Sequence, residues 1–155
     1  FPDSKILYII RDPLSVIPSG ISLVTGVLDK RFGFWEQPEK KRNHFINQLY
    51  KGLVQLLLRF HSDWTNGKID KSRIMIVPFD RMMTDFDHLI IEILEFIDHP
   101  PSDGLNKDIL ETAEKQRKFK SEHKYDLEKF GLSEQQIIED CKPIYNTFLD
   151  LKETA

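Results

Sequence analysis

Five consecutive apolar residues, Ile6 to Ile10, run directly into Arg11, Asp12 and Pro13. An unbroken apolar run of this length describes a short strand covered on both faces, as in a parallel sheet. Asp12 can cap a helix, and Pro13 suits the first helical position. A strand over residues 5–10 that feeds straight into a helix constrains the chain more than any other feature. It places the connecting turn at the carboxyl edge of a sheet, where open α/β folds bind ligands.

The rest of the chain continues the alternation. The first helix is predicted to run to about Leu28, with Pro18 bending it or freeing a carbonyl. A loop over 29–38 carries Arg31, Phe32, Phe34 and Trp35. A long helix over about 39–64 follows, with Phe45, Leu49, Leu53, Leu56, Leu57 and Phe60 near helical spacing. Asn66 and Gly67 make a turn. RIMIV, residues 73–77, reads as a second strand. Asp80 to Asp85 turns into a helix through about Ile97, with Leu89, Ile93, Leu94 and Ile97 as its buried stripe. His99, Pro100 and Pro101 stop it, and a polar helix covers 105–118. Ser133 and Gln136 form a capping box for a last helix that Pro143 breaks or kinks. The pattern predicts an α/β fold in one domain, with parallel strands 5–10 and 73–77 and about five helices. Two strands make a poor parallel sheet, so the chain is expected to be a fragment whose amino-terminal strands are missing.

Composition narrows function mainly by exclusion. The 155 residues carry a net charge of −3, which gives no general attraction to nucleic acid or an anionic membrane. Any anion site must therefore be local. The single cysteine, Cys141, allows no internal disulfide and suits a reducing compartment such as the cytoplasm. No apolar run approaches the ~20 residues of a membrane span.

The local anion site is sought at the first turn. A helix start offers unpaired N–H groups and a positive dipole end. Arg11 stands where the strand stops, and arginine meets phosphate with two parallel charge-assisted bonds. Ser19 lies about two turns into the helix and can donate a hydroxyl. Ile17, Ile21, Val24 and Leu28 make an apolar stripe; Ser15, Ser19, Ser22 and Gly26 make a small-residue stripe on the opposite side. The alternative is structural: Arg11 pairs with Asp12 or another carboxylate, and the small stripe seats a helix.

At these residues the sequence resembles the PAPS-dependent sulfotransferases. KILYIIRDPLSVIPS matches their strand, Arg-Asp-Pro and serine eight residues after the arginine. RIMIVPFDRMMTDFDHLIIEILEFI is similar to a later strand and helix, with Phe79 in place of a tyrosine near the adenine, Asp80 in place of a glutamate, and Phe86 where proline is usual. KFKSEHKYDLEKFGLSEQQI resembles the end of one branch of the family. The resemblance implies that Arg11 and Ser19 hold the 3'-phosphate of 3'-phosphoadenosine 5'-phosphosulfate (PAPS), or of its product adenosine 3',5'-bisphosphate. It implies a P-loop-like three-layer fold and sulfuryl transfer to a hydroxyl or amine acceptor, whose identity the sequence does not give. The family's glycine-rich, lysine-bearing loop for the 5'-phosphosulfate has no counterpart among the seven glycines. Its catalytic base also precedes the Arg-Asp-Pro segment. The chain is thus expected to be the carboxyl-terminal part of such an enzyme, inactive alone and assigned no catalytic residue.

Other residues fill in the expectation. The basic run KQRKFKSEHK holds Lys115, Arg117, Lys118, Lys120 and Lys124. By analogy of position it is a lid over the cofactor phosphates, with Lys118, Lys120 and Ser121 as its contacts; otherwise it is a solvated helix end. The five histidines show no metal-ligand spacing; His61 and Trp64 read as packing or cap residues, His123 can meet substrate or cofactor, and Cys141 reads as core. The aromatics of 29–38 either touch an acceptor or cover a local core. Two rival classes stay open: a nucleotide phosphotransferase of the same architecture, and a helix-rich interaction module with Arg11 in an ion pair.

Overall fold

The structure, a computed structural model, describes residues 3–118 and 126–149. The chain divides into two compact units: residues 3–11 with 69–118, and residues 12–68 with 126–149.

The first unit is built on two parallel strands, β1 (Ile6–Ile10) and β2 (Ile74–Pro78), paired from Ile6 opposite Ile74 to Ile10 opposite Pro78. Pro78 ends β2 because it cannot continue the ladder, and α3 (Phe79–Thr84) begins at the next residue. A second helix, α4 (Phe86–Phe96), starts after a break at Asp85, and α5 (Asp103–Lys118) packs on both. Leu89, Leu94, Ile109, Ala113, Ile10 and Val77 are buried. Ion pairs fix the helices: Arg81 joins Asp85 and Glu92 at 2.7 Å each, and Arg117 reaches Asp87 at 2.7 Å. Lys5 pairs with Asp98 and donates to the Phe96 carbonyl.

The expectation that β1 is covered on both faces fails. Ile6, Leu7 and Ile9 are 47%, 41% and 54% exposed. Among the described residues the sheet has two strands, so β1 has β2 on one edge only. An apolar run reports an affinity for cover; it does not supply the cover.

The second unit is helical: α1 (Pro13–Phe32), α2 (Glu39–Thr65), α6 (Glu134–Asp140) and α7 (Lys142–Phe148). Helix α1 packs on α2 and α6, and α2 packs on α7. Its core holds Ile17, Ile21, Ile46, Tyr50, Val54, Ile137, Cys141, Ile144 and Tyr145. Gly20 lets α2 approach, for a Cβ there would stand 3.1 Å from the Leu53 side chain. The most buried line of α2 is Ile46, Tyr50 and Val54; Leu56 is 68% exposed, contrary to the predicted stripe. Phe60, Trp64 and Phe148 cluster with ring centroids 5.8–6.1 Å apart.

Seven helices among the described residues replace the five expected. Residues 79–84, within the expected turn, form the short helix α3, and the last helix divides at Cys141, ahead of Pro143, which takes a first-turn position in α7. Helix α1 passes through Pro18 and ends at Gly33, beyond the predicted Leu28. None of the described helices is long and apolar enough to cross a membrane.

Candidate functional site

The register of β1 and β2 determines what stands at their carboxyl ends. Ile10 faces Pro78, so Arg11 and Phe79 leave the sheet side by side. The Arg11 guanidinium lies over the Phe79 ring, 4.3 Å from its centroid. Such stacking holds a cation while leaving its N–H edges open to an anion. Arg11 is half-buried, and within its unit no described carboxylate pairs with it.

Asp12 is engaged elsewhere. Its Oδ1 accepts the Leu14 N–H at 2.8 Å, capping α1 as the sequence predicts. The same oxygen accepts the Tyr145 hydroxyl at 2.6 Å. Burial and the neighbouring Asp12 carboxylate push the Tyr145 phenol well above its ordinary range. Burial, with Asp140 and Asp12 nearby, raises the Cys141 thiol to about 11, so it stays protonated and unreactive near neutral pH.

Ser19 belongs to the second unit, half-buried on α1, and its hydroxyl has no hydrogen-bond partner among the described residues. The small-residue stripe runs outward from it: Ser22 and Gly26 are exposed, and nothing lies within 4 Å of where a Gly26 Cβ would be. Lys118 ends α5 and is exposed. Arg117 in the same basic run is committed to Asp87. Lys120, Ser121 and His123 lie outside the described residues.

The aromatics of 29–38 differ in burial. Phe34 is buried edge-on against Trp35 and Phe45, and Trp35 stacks with Phe130 under the Lys129 ammonium, 4.2 Å away. They form a local core, whereas Phe32 is 68% exposed. His61 bonds Thr147 at 2.9 Å, the packing role expected of it. Asp85, Asp87 and His88 bring ligand atoms within 4.8 Å of one another, but the acids are neutralised by Arg81 and Arg117.

Two features escape sequence reasoning. The Arg11–Phe79 stack depends on strand register, and the Tyr145–Asp12 bond joins residues 133 positions apart. The cap at Asp12 was legible; its second donor had no local signal.

Comparison with curated proteins gave no match, and neither did comparison with solved structures. A model of the sulfotransferase family matches residues 1–103, the segment that carries Arg11, Ser19 and Phe79. The chain belongs to the sulfotransferase family.

Proposed function

We propose that this chain supplies the 3'-phosphate half of a PAPS site in an enzyme that transfers a sulfuryl group to a hydroxyl or amine. The observation that carries the reading is Arg11: a half-buried guanidinium at the end of a parallel strand, stacked on Phe79 and without an acidic partner in its unit. A half-buried cation with no described carboxylate partner in its unit favours an anionic ligand. The family resemblance assigns Ser19, whose hydroxyl has no hydrogen-bond partner among the described residues, to the same phosphate as a second donor. Phe79 then serves the arginine as a platform, and its ring remains able to pack against a base. Lys118, with Lys120 and Ser121 beyond it, belongs to this reading as a basic lid.

In the reaction, an acceptor oxygen or nitrogen attacks sulfur, the bond from sulfur to the 5'-phosphate oxygen breaks, and a base takes the acceptor's proton. Adenosine 3',5'-bisphosphate leaves with increased negative charge, which fixed cations and N–H dipoles must offset. Arg11 and Ser19 orient the donor. The 5'-phosphosulfate and the base are assigned to residues outside these 155, together with the strands that would complete a P-loop-like three-layer sheet over β1. Donors lacking the 3'-phosphate bind poorly on this reading, because they leave Arg11 unsatisfied.

Calorimetric titration with adenosine 3',5'-bisphosphate tests the assignment. Arg11→Ala should weaken binding roughly 10- to 100-fold, the value of one or two charge-assisted bonds. Equal affinity in the two proteins refutes the site. A requirement for nucleoside triphosphate and magnesium would instead favour a phosphotransferase.

A further inference from the structure

We propose that Tyr145 is a positioning residue for the anion-binding turn, acting through Asp12. This inference rests on the assignment of Arg11 and Ser19 to the 3'-phosphate.

The turn from Arg11 into α1 has one side chain that defines it, Asp12. The Asp12 Oδ1 receives the Leu14 N–H, while its carbonyl receives the N–H groups of Ser15 at 2.8 Å and Val16 at 3.0 Å. The carboxylate therefore sets where α1 begins. A cap carboxylate held only by a backbone N–H can swing about its own side-chain torsions. Here the Tyr145 hydroxyl reaches the same oxygen at 2.6 Å, a short bond to a charged acceptor. Tyr145 itself is 7% exposed and seated in α7 beside the fully buried Ile144 and Cys141. A rigid phenol on a packed helix thus fixes the carboxylate, and the carboxylate fixes the first turn of α1. Ser19 is on that helix, and Arg11 is joined to Asp12 by a peptide bond. Positions bound to an anion must be held within about half an ångström to retain their bonds, so a loosened cap reaches the ligand as lost affinity.

The second unit contains its own control. The Tyr50 hydroxyl donates to Asp140 Oδ2, also at 2.6 Å, from a side chain 3% exposed. Tyr50→Phe removes a phenol–carboxylate bond of the same kind that does not touch the turn. Tyr145→Phe and Tyr50→Phe should therefore lower thermal stability comparably. Only Tyr145→Phe should weaken adenosine 3',5'-bisphosphate binding, by about 5- to 10-fold, and speed hydrogen exchange at the Leu14 amide about fivefold.

If wild type binds and the two phenylalanine variants bind alike, Tyr145 has only a structural role and the inference falls, while the Arg11 assignment stands. If wild type does not bind the bisphosphate, the functional assignment fails and this inference falls with it. If wild type binds and Leu14 exchange is equally fast in both variants, Tyr145 does not act through the cap and the inference is overturned.

Discussion

At the scale of single residues, the two buried phenols couple the fold to alkaline pH. Tyr50 and Tyr145 are both raised above the ordinary phenol value near 10, first by burial and then by the carboxylates they face. The folded state keeps these protons to higher pH than the unfolded state does. Their contribution is therefore complete below about pH 10 and declines as the unfolded chain begins to lose protons there. Denaturant unfolding across pH 8–11.5 should show stability falling above about pH 10, and less steeply in Tyr145→Phe than in wild type. Superimposable alkaline limbs would mean the phenol is not held as the geometry has it. The sequence revealed Arg11 and its neighbour Asp12 as chemically loaded, because a charge at the end of an apolar strand is a local contrast. It did not reveal what each would touch. Phe79 reaches Arg11 through the pairing of Ile10 with Pro78, and Tyr145 reaches Asp12 through the packing of α7.

At the scale of elements, what was readable was the identity of the longer helices and of both strands; what was not was the short helix α3 and where helices stop. Residues 29–32 fall in the expected loop, yet α1 continues through them to Gly33. The stop is conformational. Gly33 adopts φ +59, its N–H caps the Asp29 carbonyl, and the chain turns at once into the aromatic cluster of Phe34 and Trp35. Any side chain there costs about 1–2 kcal/mol in left-handed backbone, and a Cβ would also meet the Glu36 carboxylate at 2.9 Å. Gly33→Ala should accordingly lower the melting temperature by roughly 2–8 °C, measured by circular dichroism. An unchanged melting temperature would show that the turn can relax at no cost. The division at Asp85 had no strong stop signal, since neither glycine nor proline occurs there. The division at Cys141 could be read in Pro143, which opens α7.

At the scale of the whole molecule, the proposed function requires an acidic chain to bind a polyanion. Its net charge is −3, so long-range attraction is weak and affinity must come from a few well-placed donors. The family match spans residues 1–103, yet α7, which lies beyond it, supplies the phenol that holds Asp12. Binding at the turn should therefore register as stability of the folded chain. Adenosine 3',5'-bisphosphate at a hundred times its dissociation constant should stabilise by about 2.7 kcal/mol. For a chain of this size that is a rise of roughly 5–10 °C in melting temperature. Adenosine 5'-monophosphate, which lacks the 3'-phosphate, should give a much smaller rise at the same concentration. Arg11→Ala should remove most of the difference between the two nucleotides, because on the proposed function the arginine makes the charged part of the contact with the 3'-phosphate. Rising salt should shrink the bisphosphate effect in wild type and leave the variant nearly unaffected. Equal shifts from both nucleotides in wild type would place recognition on the nucleoside, and Arg11 would lose its assigned role.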